Sequence, residues 1–250
     1  MPLMEMISGI GLSIVANRLD AFIVDKLPPG HRRKLFLATF KKTDIRVSIA
    51  YLYRIELDGS YLLVKGKRIN QYQPVGGVRK FYKGAQSTFR ELGVRPDDFL
   101  KIDDISRDDL RVRMPAKNLL KFLDWYETKH DREICQQREF REELIAPGYL
   151  KPETFTDLEV QYLYTVPTFH YSPHFQCWEL LYHEVFEPVF TPGQVAAVQK
   201  LKEGSSDEYV WVAEELILSL GHDKRLGMKP FQIGDHAQLL ISKDNRLFKH

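Results

Sequence analysis

Residues 138–145 read REFREELI, and this stretch decides how the rest of the chain is interpreted. Glu139, Glu142 and Glu143 are spaced i, i+3 and i+4, so on an α-helix they fall within one arc of about 100°. The apolar residues on the opposite arc are Ile134, Phe140, Leu144 and Ile145. One face of this helix is therefore predicted to pack into a core, while the other presents three carboxylates at a single place.

Three carboxylates this close together repel one another by about 0.2–0.5 kcal/mol per pair, even in water. Arg138 and Arg141 offset part of the repulsion, and a bound divalent cation would reverse it. The alternative interpretation is a solvated acidic face, because most runs of charge lie on protein surfaces. Taken alone, the stretch leaves both interpretations open.

The composition is that of a soluble globular protein of the cytoplasm. The 250 residues are 44% hydrophobic and 28% charged, which allows a substantial core. A net charge of +2 gives no electrostatic footprint for duplex nucleic acid, although a small anionic ligand needs only a local cluster. Cys135 and Cys177 form no CxxC pair, which is compatible with a reducing compartment. Cys135 is expected to be a small buried thiol.

The N-terminal segment, residues 1–45, is predicted to be a helical extension of the main domain. Its apolar run Ile7–Val15 is shorter than a membrane span of about 20 residues, and a signal peptide would carry positive charge ahead of that run. The apolar positions that follow helical spacing are Leu12, Val15, Leu19 and Phe22. The expected role of this amphipathic helix is docking on the body or on a partner subunit, with a membrane surface as the less favoured alternative.

Two β-strands are predicted on either side of an Asp-Gly turn. The first, Val47–Ile55, is rich in β-branched and aromatic residues, and Asp58-Gly59 separates it from the second, Tyr61–Lys65. Asp-Gly between two such runs is a strong hairpin signal. Further along, residues 73–78 read QPVGGV, and this sequence predicts a sharp turn at which the backbone can approach another group closely.

The acidic stretch is assigned to a helix at Arg132–Ile145, with Asp131 as its N-cap and residues 146–148, Ala-Pro-Gly, at its end. A helix with a buried face is predicted before it, within Asn118–Lys129. A short strand is predicted at Leu110–Met114. The acidic helix is thus preceded by one strand and one helix that are both partly apolar.

The C-terminal part of the chain is predicted to alternate strands and short helices. The predicted strands are Leu158–Thr168, Cys177–Phe186 and Tyr209–Val212, and the predicted helices are Gln194–Leu201, Ala213–Leu220 and Ile233–Ile241. A loop carrying His170 and His174 is expected between the first two of these strands. The order of elements indicates a mixed α/β domain over residues 46–250.

Taken in order, the hairpin, the Pro-x-Gly-Gly segment and REFREEL resemble a Nudix-fold protein. The signature of that family is G-x5-E-x7-R-E-U-x-E-E-x-G-U, with U a bulky aliphatic residue, and its central part stands here as Arg138–Glu143. Upstream, Tyr61–Lys65 followed by Pro74–Val78 is similar to the family's approach to that helix. Downstream, Glu208–Val212 with Glu214-Glu215 resembles the strand and helix that often close the domain.

The likeness covers roughly Val47 to Leu220, and it includes departures from the family pattern. About 60 residues separate Gly77 from Arg138, where the family has a shorter link, so an insertion is predicted at about residues 79–117. The first Gly, the first Glu and the late Gly of the signature correspond here to Asp124, His130 and Ile145.

Four segments narrow the resemblance to the SMODS-associated Nudix subfamily: Gln73–Val78, Asp109–Val112, Arg132–Ile134 and Ser172–Glu179. The resemblance implies an α/β (α+β) fold, a Nudix-like α/β/α sandwich with a mixed β-sheet. That subfamily is associated with bacterial nucleotidyltransferases that make cyclic oligonucleotide signals in anti-phage systems. Its implied role is to sense or process a nucleotide.

The resemblance also implies a metal site that hydrolyses a diphosphate bond. Its implied ligands for Mg²⁺ (or Mn²⁺) are Glu139, Glu142 and Glu143, which are also the implied catalytic residues together with Arg138. The implied substrate-binding residues are Gly76, Gly77, Arg79, His174 and Glu179. A solvated loop is the alternative for Arg79, and a surface or structural role is the alternative for His174. Glu179, Glu184 and the helix glutamates all remain candidates for the general base.

The leading hypothesis is a Mg²⁺-dependent Nudix-type pyrophosphohydrolase that acts on a nucleoside diphosphate-linked substrate or a nucleotide signal, in an anti-phage context. The second hypothesis is a non-catalytic sensor that binds a nucleotide second messenger. The third is an oligomerising interaction module that uses the N-terminal helix. The expected ligand is a nucleotide or cyclic oligonucleotide, and the protein partner considered is a second copy of the chain.

Overall fold

A computed structural model describes residues 43–67, 69–97, 99 and 106–242 of the 250-residue chain. These residues form a mixed α/β fold with a mixed β-sheet, which confirms the predicted fold class. The predicted N-terminal helix and the segment His31–Lys42 lie outside the described residues. The predicted domain limits, 1–45 and 46–250, therefore stay predictions.

Ten strands are present among the described residues. They are β1 (Asp44–Tyr53), β2 (Glu56–Leu57), β3 (Ser60–Lys65), β4 (Tyr72–Pro74), β5 (Gly76–Val78), β6 (Arg95–Pro96), β7 (Arg111–Pro115), β8 (Glu159–Ser172), β9 (Cys177–Val189) and β10 (Tyr209–Ala213). In the six-stranded sheet, β1 lies between β7 and β9, and β8 pairs with the other edge of β9.

The helices of the described residues are short. The α-helices are α1 (Gln86–Leu92), α2 (Leu119–Glu127), α3 (Gln137–Phe140), α4 (Pro192–Glu203) and α5 (Glu214–Leu218). A π-helical turn, Arg141–Ile145, continues α3. The 3₁₀ turns are Lys83–Ala85, Ala116–Asn118, Pro152–Thr154 and Asp235–Leu240. Within the described ranges, every helix is too short or too polar to cross a lipid bilayer.

The described residues divide into two compact units, each assembled from three separate segments. Unit 1 consists of the described parts of Met1–Ser48, Lys80–Glu133 and Thr168–Leu181. Unit 2 consists of the described parts of Ile49–Arg79, Ile134–Pro167 and Tyr182–His250.

Unit 1 contains an antiparallel arrangement of β1, β7 and β6. The first half of β1 pairs with β7 from Asp44 opposite Pro115 to Ser48 opposite Arg111, and β6 pairs with the other edge of β7. In β7, buried and partly exposed residues alternate, as expected for a strand with one covered face. Helices α1 and α2 contact each other through Phe89, whose ring lies 5.0 Å from that of Trp125.

Unit 2 contains a four-stranded antiparallel sheet in which β3 is central. Its order is β10-β3-β2, and β4 also pairs with β3. The second half of β1 pairs with β5, with Tyr51 opposite Gly77. One apolar cluster of this unit joins buried side chains of β1, β3 and the acidic helix, including Tyr51, Tyr53, Phe140 and Leu144. This packing holds the apolar face of the acidic helix next to β1.

The Asp-Gly turn is confirmed. The prediction that it joins the long first strand to Tyr61–Lys65 is wrong. Asp58 and Gly59 have φ values of 49° and 71°, as a type I′ turn requires, and they connect β2 to β3. The long strand β1 ends at Tyr53 and does not pair with β3. The chain changes partner at Arg54, whose N–H donates to the carbonyl of Phe186 at 2.7 Å.

The predicted start of the acidic helix at Arg132 is also wrong, since α3 begins at Gln137. Asp131 adopts the left-handed conformation with φ 57° and is not its N-cap. Arg132 is buried, and its guanidinium donates to the carbonyls of Tyr126 and Glu133, which holds this part of the chain outside a helix.

The altered start changes the surroundings of the residues just before the helix. Ile134, which was expected on the buried face, is 52% exposed. Cys135 is exposed, so the prediction of a buried thiol is wrong. His170, expected in a loop, lies in β8, and the last predicted helix is a 3₁₀ turn.

Candidate functional site

The acidic helix buries its apolar residues and leaves its glutamates accessible to different degrees. Phe140 and Leu144 are fully buried, and the Phe140 ring lies 5.7 Å from that of Tyr53. The side chain of Glu139 is 13% exposed, whereas that of Glu142 is 45% exposed. Glu143 has intermediate exposure. The predicted two-faced helix is thus confirmed for these residues.

The second half of the acidic helix is a π-helical turn. The N–H of Ala146 donates to the carbonyl of Arg141 at 2.7 Å, five residues back. Such turns are rare and frequently mark functional sites. The turn changes the angular spacing of Glu142 and Glu143 from the one that an ideal α-helix would give.

Two glycines of β5 allow the main chain to approach this helix closely. The N–H of Gly76 donates to Oε2 of Glu143 at 3.0 Å. A Cβ at Gly76 would lie 2.2 Å from the carbonyl oxygen of Tyr51, and the residue has φ +152°. A Cβ at Gly77 would lie 1.9 Å from Oε1 of Glu139. Gly76 is therefore required by the adjacent backbone of β1, and Gly77 is required if the Glu139 carboxylate is to stay where it is.

Arg138 holds the glutamate side of the helix against the end of β5. Its Nη1 lies 2.5 Å from Oε1 of Glu139 and 3.6 Å from Oε2 of Glu142. Its Nη2 donates to the carbonyl of Val78 at 2.8 Å. These contacts link the guanidinium of Arg138 to two helix glutamates and to the main chain at the end of β5.

The carboxyl group of Glu143 has a raised pKa. Burial, together with the charges of Glu139 and Glu142, raises the pKa of Glu143 from 4.5 to about 8, although the Gly76 N–H and the charge of Lys67 counteract part of the rise. The Glu143 carboxyl is therefore protonated at neutral pH when no cation is bound. A bound cation would favour the ionised form.

The carboxylate oxygens of the acidic helix are suitable ligands for a hard divalent cation. In this structure, however, they do not have the arrangement of a metal site. Carboxylate oxygens are the ligands that Mg²⁺ prefers, and β5 brings Glu139 and Glu143 next to the same two glycines. Within the described ranges, no group of three or more His, Cys, Asp or Glu side chains has the spacing of a metal site. Of the three glutamates, Glu142 is the most exposed, at 45% of its side chain.

Arg79, expected to contact substrate, is instead 1% exposed. Its Nε and Nη2 donate to Oε2 of Glu184 at 2.9 and 2.5 Å, and its Nη1 donates to the carbonyl of Ile134 at 2.9 Å. Glu184, one of the candidate general bases, is thus held by an arginine. All three residues belong to unit 2.

His174 and Glu179 belong to unit 1, whereas the acidic helix and the glycine pair belong to unit 2. Glu179 is buried, and its carboxylate accepts from Arg46 at 2.7 Å and contacts Nε2 of His170 at 3.1 Å. His174 is exposed in the turn between β8 and β9, where its ring contacts that of Phe175. Glu179 and Glu184 are both paired to arginines, as Glu139 is to Arg138, so all of them remain candidates for the general base.

Sequence reasoning did not assign a role to Tyr51 or to Lys67. The N–H of Glu139 donates to the hydroxyl of Tyr51 at 3.2 Å, and the exposed Lys67 is close enough to influence the pKa of Glu143. Tyr51 could not have been selected because it is one of many aromatic residues in a predicted strand. For Lys67 the only available signal was a basic residue in a polar link before the glycine pair.

A comparison with models of protein families agrees with the resemblance seen in the sequence. A family model described as the SMODS-associated NUDIX domain matches residues 44–241. The chain therefore belongs to the SMODS-associated NUDIX domain family. A search of curated proteins found no match.

Two solved structures are similar to the chain at low identity. One is Shewanella oneidensis NrtR complexed with a 27mer DNA, at 12% identity and a TM-score of 0.31. The match covers 81% of this chain and 61% of that chain, so this chain spans less than two thirds of the length of that relative. The other is a hydrolase of the NUDIX family from Clostridium perfringens, at 13% identity and a TM-score of 0.20, with 82% and 97% of the two chains covered.

Proposed function

We propose that this protein is a Mg²⁺-dependent Nudix-type hydrolase that cleaves a phosphoanhydride bond in a nucleoside diphosphate-linked substrate or a nucleotide signal. The observation that supports this proposal is the close approach of Gly76 and Gly77 to Glu143 and Glu139. A solvated acidic face would have no need for a glycine at residue 77 that leaves room for the Glu139 carboxylate, or for a main-chain N–H that binds Glu143. Membership of the family supports the choice of a nucleotide as ligand.

In this proposal each residue of the candidate site has its own role. Glu139, Glu142 and Glu143 would hold the cation, which when bound neutralises phosphate charge and lowers the pKa of a water molecule. Arg138 holds Glu139 and the carbonyl of Val78 together. The Gly76 N–H orients the Glu143 carboxyl. One of these carboxylates, once ionised, is the proposed general base.

The proposed setting is bacterial anti-phage defence in the cytoplasm, in which a neighbouring nucleotidyltransferase makes a cyclic oligonucleotide. The support is the family description, which links the domain to SMODS proteins. A nucleotidyltransferase gene beside the gene for this chain would support the setting. Unchanged phage resistance after deletion of this gene alone would contradict it.

The test is a hydrolysis screen with Mg²⁺ and Mn²⁺ over dinucleotides, nucleoside diphosphate conjugates, nucleoside triphosphates and cyclic oligonucleotides. We expect metal-dependent product with at least one class, and a loss of roughly a hundredfold or more in the Glu142→Gln, Glu143→Gln double variant. The matched control is Glu153→Gln with Glu203→Gln, two exposed carboxylates of unit 2. Full turnover by the first double variant would contradict the proposed site.

The second candidate function is a non-catalytic sensor that binds a nucleotide messenger. The observation that favours it is the lack of a gathered metal group among the described side chains, together with the raised pKa of Glu143. This candidate predicts saturable binding by calorimetry without any product after prolonged incubation with metal. Product formed in proportion to enzyme concentration would exclude it.

A further inference from the structure

The chain just before the acidic helix lacks the usual means of fixing a helix start. Residues 134–136 have no regular secondary structure, and the N-cap residue, Gln136, makes no side-chain capping bond. The first half of the Nudix signature is also missing at the sequence level. Because Glu139 stands only two residues after the start of α3 at Gln137, something else must hold this helix end in place.

The guanidinium of Arg79 reaches this segment from β5. Its Nη1 donates to the carbonyl of Ile134 at 2.9 Å and lies 3.4 Å from the carbonyl of Cys135. Arg79 directly follows β5, which contains the two glycines that contact the glutamates. The Arg79 side chain therefore links the residues just before the helix to the end of β5.

Arg79 is itself fixed on its other side. Its Nε and Nη2 both donate to Glu184 of β9, and the two side chains are 2% and 13% exposed. Its guanidinium carbon lies 4.5 Å from the centre of the Tyr51 ring. The planar guanidinium of arginine has several N–H donors, so it can bind a carboxylate and a carbonyl at the same time. The single ammonium group of lysine is less suited to binding both.

Tyr51 provides a second link to the same helix. Its hydroxyl accepts a hydrogen bond from the N–H of Glu139 at 3.2 Å, while its ring supports the Arg79 guanidinium. An N–H in the first turn of a helix has no partner within the helix itself. Tyr51 therefore accepts a hydrogen bond from the residue whose carboxylate contacts Gly77.

We propose that Arg79, Glu184 and Tyr51 form a positioning clamp that holds the start of the acidic helix against the glycine pair. None of the three contacts substrate in this proposal, because each acts through the position of Glu139. The clamp fixes the start of the acidic helix, where the first half of the Nudix signature is missing. Its effect on turnover rests on the proposed function, but its effect on the helix does not.

The experiment compares Arg79→Lys with Arg54→Lys. Arg54 is the matched control because it forms an ion pair with Glu187 in the same unit, without a contact to the helix start. Amide hydrogen exchange is followed at residues 134–140 in protein without substrate. We expect exchange there to rise roughly tenfold or more in Arg79→Lys and to stay unchanged in Arg54→Lys. Equal protection in the two variants, or an equal rise in both, would overturn the clamp.

Tyr51→Phe keeps the ring and removes only the hydroxyl, so it provides a second variant if Arg79→Lys does not fold. We expect faster exchange at the Glu139 amide in this variant, with a melting temperature close to that of the unchanged protein. Unchanged exchange at Glu139 would remove Tyr51 from the clamp.

Turnover then separates this proposal from the proposed function. With any substrate that the unchanged protein hydrolyses, Arg79→Lys is expected to lower kcat by roughly tenfold or more with little change in KM, because a misplaced Glu139 affects the reacting atoms. If the unchanged protein hydrolyses nothing, the exchange result still decides whether the clamp exists. If it hydrolyses substrate and Arg79→Lys retains full kcat, the clamp has no positioning role.

Discussion

At Gly76 and Gly77 the surroundings are so close that a single added carbon atom would collide with a neighbouring group. The two collisions differ in kind. At Gly76 the nearest atom is the main-chain oxygen of Tyr51, which cannot move alone, whereas at Gly77 it is the end of the Glu139 side chain, which can rotate away. Gly76 is thus required mainly by the fold, whereas Gly77 is required mainly by the candidate site.

The Gly77→Ala substitution is expected to preserve the fold and to reduce activity. The added methyl group would displace the Glu139 carboxylate, so we expect a loss of roughly tenfold or more in metal-dependent turnover. Since only a side chain must move, the free energy of unfolding should change by about 1 kcal/mol or less. Urea unfolding and a turnover assay check the two expectations.

Gly193→Ala is the matched control, because a Cβ there would have no atom within 4 Å. This variant should be as active as the unchanged protein. Normal turnover in Gly77→Ala would show that the position of Glu139 does not matter.

The Glu143 carboxyl is expected to make stability fall as pH rises. Its pKa is raised to about 8 in the folded chain, so between about pH 5 and pH 8 the folded state keeps a proton that the unfolded state loses. The folded state then binds more protons, and the free energy of unfolding decreases with pH. Relative to Glu143→Gln, which does not titrate, we expect the unchanged protein to lose on the order of 2–4 kcal/mol between pH 5 and pH 8.

This comparison uses urea unfolding of both proteins in the presence of a chelator, because a bound cation would hold Glu143 ionised. The difference between the two proteins removes the contributions of other carboxyl groups that titrate in both. A difference that stays constant from pH 5 to pH 8 would show that Glu143 has an ordinary pKa.

At the scale of elements, local sequence signals specify the long helix better than the acidic one. Helix α4 begins with a capping box, in which Thr191 Oγ1 accepts from the Gln194 N–H at 3.4 Å and Gln194 Oε1 accepts from the Thr191 N–H at 3.0 Å. The acidic helix has no such box, and its α-helical part has only four residues. Its start therefore depends on contacts with other strands.

Removing the cap of α4 should cost stability. We expect Thr191→Ala to lower the free energy of unfolding by about 1 kcal/mol, because the Gln194 N–H loses its partner. Thr191→Ser retains the hydroxyl and should be nearly neutral. Chemical denaturation of both variants checks this prediction, and an equal loss in both would mean that the methyl group of Thr191, and not its hydroxyl, stabilises the helix.

At the scale of the whole molecule, each unit combines segments that are far apart in sequence. In unit 1 a buried ion cluster joins all three segments: Arg46 from the first, Asp97 and Arg113 from the second, and His170 and Glu179 from the third. Arg46 donates to Asp97 at 2.6 Å and to Glu179 at 2.7 Å. Charges buried to this degree are stable only as a complete set.

Removing one member of this cluster is expected to be strongly destabilising. Asp97→Ala would leave Arg46 and Arg113 without a shared acceptor, and we expect a loss of about 3–5 kcal/mol in the free energy of unfolding. The exposed pair Arg95–Asp44 in the same unit is the control, and Asp44→Ala should cost about 1 kcal/mol or less. Similar losses in both variants, measured by urea unfolding, would contradict the prediction.

The same cluster should respond to acid. Burial by itself raises the pKa of Asp97, but the hydrogen bonds and charges of Arg46 and Arg113 outweigh it, so the pKa is lowered from 3.8. The stability that Asp97 contributes is therefore present above its unfolded pKa and is lost as pH falls through its folded value.

The sequence by itself determined the features that depend on neighbouring residues. The Asp-Gly turn, the buried side of the acidic helix at Phe140 and Leu144, and a helix over Gln194–Leu201 follow from turn chemistry and helical spacing. The mixed α/β class follows from the order of such local signals. These properties arise within a few residues, so a linear pattern contains them.

Only the tertiary structure decided where the acidic helix begins, that Arg79 is buried, and that burial raises the pKa of Glu143. Arg79 and Glu184 are 105 residues apart in the chain, and Gly76 and Glu143 are 67 apart. Burial, pairing and pKa depend on which distant groups surround a side chain and exclude water from it. No local pattern specifies those neighbours, because they come together only when the strands of the sheet have paired.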